Sequence, residues 1–139
     1  MMMRPGLLAN VLGVLFVLGC EAPDIAPVAG LGDPYLPPFN DPQISLLSPE
    51  LQPWLGFHPA IIIDDGKRPM QVQVPVRNLT DRQYLIDYRI LFYDADEMEL
   101  APVMGWTMAA LRPKQIVRLK AKALSTDAAS YRLEVKWAR

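Results

Sequence analysis

The residues that most often carry chemistry are scarce in this sequence. Its 139 residues include one Cys and one His. That is too few for a His/Cys zinc site within one chain, and a lone cysteine forms no intramolecular disulfide. Neither charge dominates: 14 Lys+Arg stand against 15 Asp+Glu. This balance excludes a generally basic nucleic-acid binder and an acidic disordered coil. There is no Gly-rich phosphate loop, no Gly-x-Ser-x-Gly elbow and no His-Glu-x-x-His helix. No catalytic residues, cofactor or metal site are therefore expected. Proline, by contrast, is plentiful and uneven: nine of the 14 prolines lie in residues 21–59.

The first twenty residues read as a targeting segment. Arg4 is followed by a thirteen-residue apolar stretch, residues 7–19, interrupted only by Asn10. As a helix this stretch spans about 20 Å, short of the roughly 30 Å hydrocarbon core. A cationic start, a short apolar run and a small residue before the cut describe a secretory signal peptide, residues 1–19. The ending Val17-Leu18-Gly19-Cys20 resembles the lipobox of bacterial lipoproteins. That resemblance implies a diacylglyceryl thioether at Cys20, cleavage before it and a membrane anchor. Glu21 follows the cysteine, and by the same resemblance the absence of Asp there favours the outer membrane, with the domain on the periplasmic side. Two or three acyl chains make such anchoring stable, whereas one is marginal.

Residues 20–43 read as a lipid-anchored, proline-rich acidic tether. Residues 21–59 carry five acids and no Lys or Arg. Proline forbids helix interiors and removes ladder donors, so the segment reads as a semi-rigid spacer of about 3.1 Å per residue. Its later part is more apolar. Ile44, Leu46, Leu47, Leu51, Trp54, Leu55 and Phe57 suggest a lead-in that packs on the domain of residues 44–139. Ser48-Pro49-Glu50-Leu51 can start a short helical turn, with Ser48 as N-cap and Pro49 at N1. The other reading leaves Trp54 and Phe57 exposed as a partner-binding anchor.

Beyond residue 60 the hydrophobic period is two. Met70, Val72, Val74 and Val76 alternate with polar residues, and Pro75 points to an edge strand or an interruption. Tyr84, Ile86, Tyr88, Ile90 and Phe92 share one face of a second strand. Val117, Leu119 and Ala121 alternate with Arg118, Lys120 and Lys122. Tyr131, Leu133, Val135 and Trp137 alternate with Arg132, Glu134 and Lys136. Residues 60–63 and part of 103–111 supply further strands. Turn residues fall at Asp64-Asp65-Gly66, Asn78-Leu79-Thr80-Asp81, Asp94-Ala95-Asp96 and Arg112-Pro113. The expected fold is all-β: a two-layer antiparallel β-sandwich, immunoglobulin-like in outline.

Several of these segments resemble the YcfL family of small bacterial periplasmic lipoproteins, whose function is uncharacterised. They are Val76-Arg77-Asn78-Leu79-Thr80, Tyr88-Arg89-Ile90-Leu91-Phe92-Tyr93-Asp94, Trp106, Leu111-Arg112-Pro113 and Ala128-Ala129-Ser130-Tyr131-Arg132-Leu133. The resemblance covers roughly residues 60–139 and implies a compact β-sandwich. It brings no catalytic residues and suggests at most an envelope role, near lipoproteins that activate cell-wall synthases. Where relatives often place Gly after the Asp94 position, this chain has Asp96-Glu97, so a longer hairpin is expected.

The remaining candidates are weighed by their surroundings. The acidic run from Asp94 to Glu99 reads as a solvated turn, since it lacks the glycine and ligand spacing of a calcium loop. His58 has no nearby nucleophile pattern. Arg89 reads as a cross-strand ion pair or a cation stacked on Tyr93. If the strands that carry them share a sheet, Arg118, Lys120, Lys122, Arg132 and Lys136 form one cationic face. Such a face would suit an anionic envelope partner, protein or cell-wall polymer. The functional expectation is a non-enzymatic, lipid-anchored recognition module, for which the family resemblance suggests a role accessory to cell-wall synthesis. The alternative is a structural or chaperone-like envelope accessory without a dedicated ligand.

Overall fold

The computed structural model describes residues 41–138. The signal segment, Cys20 and residues 20–40 of the tether lie outside the described residues. Eight strands follow in order: β1 (Ile44–Leu46), β2 (Leu55–Phe57), β3 (Ile61–Ile63), β4 (Gln71–Asn78), β5 (Tyr84–Tyr93), β6 (Thr107–Leu111), β7 (Ile116–Lys122) and β8 (Ser130–Trp137). One sheet has the order β1-β8-β5-β6. In the other, β4 is central, with β7 on one side and β2 and β3 in succession on the other. The fold is an all-β sandwich with one departure from antiparallel pairing. β1 runs parallel to β8, because the lead-in enters alongside the last strand before crossing to the second sheet.

The period-two alternation places the core between the sheets. Ile86, Ile90 and Phe92 from β5 and Leu133 and Val135 from β8 face Val72, Val74 and Val76 from β4 and Leu119 from β7. Each such side chain contributes about 1.5–3 kcal/mol through removal from water. The lead-in belongs to this core: Leu51 is fully buried, and Leu55 and Phe57 are nearly so. Between β1 and β2 lies a 3-10 turn, Pro49–Trp54, with proline at its start. Ser48 makes no side-chain cap there. Its hydroxyl instead accepts the Trp137 N–H at 3.1 Å, tying the lead-in to the end of β8. Trp54 packs against Trp137 and Tyr84, with ring centroids 5.3 and 6.4 Å away. The Tyr84 hydroxyl donates to the Trp54 carbonyl at 3.0 Å. Trp54 and Phe57 are thus packing residues.

Pro75 sits in the central strand of its sheet, where a missing donor ought to be costly. Its carbonyl accepts the His58 N–H at 2.9 Å. The donor it lacks falls where β2 ends and β3 has not begun, a gap that contains Pro59. The two prolines break the same ladder at the same place. That is why one long strand becomes two short ones.

The turns use the expected side chains. Asp65 accepts the N–H groups of Lys67 and Arg68, both at 2.9 Å, and pairs with the Arg68 guanidinium. These backbone hydrogen bonds, Arg68's first, bring its carboxyl down to about 2. Asp94 accepts from the N–H groups of Asp96 and Met98 at 2.9 and 3.0 Å. Glu97 occupies the left-handed region at φ 62°, the place glycine would fill without strain. A Tyr93–Glu99 bridge closes this hairpin before residues 100–106 leave for β6.

Candidate functional site

The register decides which charged residues can act together. On β7, Arg118, Lys120 and Lys122 point outward from the sheet that contains β4. Their ladder partners are Pro75, Gln73 and Gln71, none acidic. Successive cations on one strand face stand about 6.6–6.8 Å apart, within a Debye length at physiological salt, so their potentials add. Arg132 and Lys136 belong to β8 in the other sheet. The expected five-cation face therefore does not exist. Alternation correctly turned all five outward, but outward on β7 and on β8 means opposite sides of the sandwich. Only the row Arg118, Lys120 and Lys122 forms a shared face.

The cations of β8 are engaged in a different structure. Arg89 on β5 lies opposite Glu134 in the ladder and pairs with it, Nη2 and Nε lying 2.9 and 3.0 Å from Oε1. The Arg89 guanidinium also lies 4.5 Å from the Trp106 ring centroid, and the Lys136 ammonium 4.2 Å from the same ring. Arg132 takes the place over Tyr93, at 5.8 Å. Arg89 thus makes the cross-strand pair, with Trp106 rather than Tyr93 as its aromatic partner. Periodicity could not show this, because Trp106 precedes β6 and arrives over the sheet only through the 100–106 excursion.

A second buried polar cluster joins four segments. Asn78, at the end of β4, is fully buried. Its amide donates to the carbonyls of Arg82 at 2.7 Å and Leu111 at 3.0 Å, and its oxygen accepts the Thr80 N–H at 2.9 Å. The Thr80 hydroxyl lies 2.7 Å from that oxygen and 3.0 Å from the Arg82 carbonyl. Lys114 donates from its ammonium to the Leu79 carbonyl at 2.6 Å. The Asn-Leu-Thr triplet is a structural turn that locks β4 to the entries of β5 and β7 and the end of β6.

His58 Nε2 is buried without a hydrogen-bond partner. Among the described residues, no group of three or more His, Cys, Asp or Glu is placed to hold a metal. An apolar cleft of about 20 Å³ between Leu91, Phe92, Pro102 and Leu124 has room for about one water. A broader polar groove of about 330 Å³ runs past Gln43, Tyr93, Glu97 and Arg132. Beside it, burial and the nearby Asp41 carboxylate push the Tyr131 phenol up.

An open-faced two-sheet sandwich with charged faces and a polar groove defines the class of small β-sandwich domains. Within that class, residues 60–137 match the family described as Protein of unknown function (DUF1425), and the chain belongs to that family. Two solved structures are similar. One is cj0090 of Campylobacter jejuni, at 22% identity and a TM-score of 0.56, covering 70% of this chain and 100% of that one. The other is a DUF1425 family member from Shewanella sp. pv-4, at 15% identity and a TM-score of 0.54, covering 61% of this chain and 79% of that one. At these identities the likeness is one of fold. No curated protein matches the chain.

Proposed function

We propose that the protein is a non-enzymatic, lipid-anchored envelope protein that holds a β-sandwich recognition module away from a membrane, on the YcfL-like pattern. One observation carries this reading: Val17-Leu18-Gly19-Cys20 ends an apolar run of signal-peptide length, and Cys20 is the chain's one thiol. A thiolate that becomes a thioether leaves no free cysteine to oxidise in the envelope. The periplasmic side and the outer membrane are the compartment this reading favours. An anionic envelope protein or cell-wall polymer is the partner favoured for Arg118, Lys120 and Lys122, through long-range attraction. An accessory role in cell-wall synthesis fits such a partner.

The experiment is metabolic labelling with a fatty-acid analogue in cells expressing wild type or Cys20→Ser. Wild type takes the label and partitions into detergent, whereas Cys20→Ser does neither or accumulates as an uncleaved precursor. Equal labelling of the two forms rules the anchor out.

A further inference from the structure

The face that carries Arg118, Lys120 and Lys122 holds more than cations. Ladder rows cross it from β3 through β4 to β7, Ile63–Gln71–Lys122 and Ile61–Gln73–Lys120. Neighbouring strands lie about 4.7–4.9 Å apart, so an isoleucine strip and a cation strip run side by side, about 10 Å from each other. Ala123 N–H bonds the Met70 carbonyl and Asn78 N–H the Gln115 carbonyl, so even-numbered residues of β4 turn their backbone groups toward β7. Gln71–Lys122 and Gln73–Lys120 are therefore non-hydrogen-bonded pairs, whose side chains stand closest. Each sets an amide beside an ammonium.

Acids are missing from this face. The strands β3, β4 and β7 contain no Asp or Glu. The turn after β3 carries Asp64 and Asp65, but their carboxylates accept from the N–H groups of Gly66, Lys67 and Arg68. The outer face of the other sheet, by contrast, answers Arg89 with Glu134. Beside the cations, Ile61 and Ile63 are each 43% exposed.

The rest of the face narrows the anionic partner. Sugar rings stack on aromatic side chains, and membrane headgroups favour Trp and Tyr. These three strands contain no Trp, Tyr or Phe. A polyphosphate neutralises cations but offers nothing apolar to isoleucine. A protein surface supplies carboxylates and apolar side chains together. We propose that this face binds an acidic protein segment whose apolar residues cover Ile61 and Ile63 while its carboxylates meet Arg118, Lys120 and Lys122. The inference rests on the anionic-partner reading of that row and names the partner's class. The charges steer the encounter and reject wrong partners, and the isoleucine cover prolongs the complex.

Photocrosslinking in cells tests this, with a photoreactive amino acid in place of Gln73 in the full chain, midway between the two strips. The expected product is a discrete adduct that protease digests and muramidase leaves intact. Its cross-linked peptide carries Asp or Glu beside apolar residues. The yield should fall at least about fivefold with Lys120→Glu and Lys122→Glu together, because the attraction reverses sign. It should fall at least about fivefold with Ile61→Thr and Ile63→Thr together, which keep the β-branch and so the strand. An unchanged urea midpoint checks that each variant is folded. The same photoreactive group at Asp87, in the other sheet, should not give this adduct. An adduct released by muramidase keeps the anionic reading and overturns this inference, as does an adduct to lipid. An adduct lost with the isoleucines but not with the cations strikes the anionic reading itself, and the inference with it. No adduct at Gln73, or one indifferent to the isoleucine pair, also overturns it.

Discussion

Replacing Asn78 by Ala probes the cluster that joins four segments of the sandwich. The side chain is fully buried and makes two donated and at least one accepted hydrogen bond. The Arg82 carbonyl keeps a donor nearby in the Thr80 hydroxyl at 3.0 Å. The Leu111 carbonyl and the Thr80 N–H lose the Asn78 side chain as partner. Each buried group left unsatisfied costs about 1–3 kcal/mol. A loss of about 3–5 kcal/mol is expected, a large share of the 5–15 kcal/mol typical of a domain. Urea unfolding followed by tryptophan fluorescence should show it as a fall in midpoint of roughly 2 M, for a slope of about 1.5–2 kcal/mol/M. Asn78→Asp refines the test. It keeps the shape and the acceptor but aims a carboxylate at two carbonyl oxygens. Burial and those oxygens raise its folded pKa above the unfolded value, so it should destabilise increasingly as pH rises above about 4. A loss under 1 kcal/mol for Asn78→Ala, or no pH dependence for Asn78→Asp, refutes the structural role given to this cluster.

Other expectations follow from single contacts. Glu97→Gly relieves the left-handed φ of 62° and should raise stability by about 0.5–1 kcal/mol, read as a higher urea midpoint; a lower midpoint contradicts it. A double-mutant cycle on Arg89 and Glu134, whose side chains are only 27% and 12% exposed, should give a coupling of about 1–2 kcal/mol. That exceeds the roughly 0.2–1 kcal/mol of exposed pairs, and a zero coupling dismisses the pair as incidental. Burial pushes the Tyr84 phenol well above its ordinary value of 10. The neutral phenol is favoured in the folded chain, so its contribution is full below pH 10 and is lost as pH rises toward the folded pKa. Tyr84→Phe should cost about 1 kcal/mol at pH 7 through the lost bond to Trp54, and should show a shallower loss of stability above pH 10. Parallel slopes for the two proteins would contradict that.

The β-sandwich was legible because period-two alternation is a local property. Val72, Val74 and Val76, or Leu133 and Val135, announce their buried face without reference to any other strand. Sheet membership is not local. Nothing in β7 or β8 says that one pairs with β4 and the other with β5, so the division of the five cations between two sheets is invisible in either strand alone. The parallel β1–β8 pair was equally hidden, since three residues carry too little pattern to show a direction. Pro75 was legible in part: an interruption was readable, but that Pro59 supplies the matching gap on the neighbouring strand required the register. The cation–aromatic cluster around Trp106 depends on a connection with no regular period, and the alignment of Ile61 and Ile63 with Lys120 and Lys122 depends on knowing that β3 and β7 flank β4.

Mass spectrometry of the mature N-terminus tests the central claim most directly. The account predicts that the first peptide of membrane-extracted protein begins at Cys20 and carries the mass of a diacylglyceryl thioether, with or without N-acylation. A mature chain that begins elsewhere, or an unmodified Cys20 thiol, contradicts it.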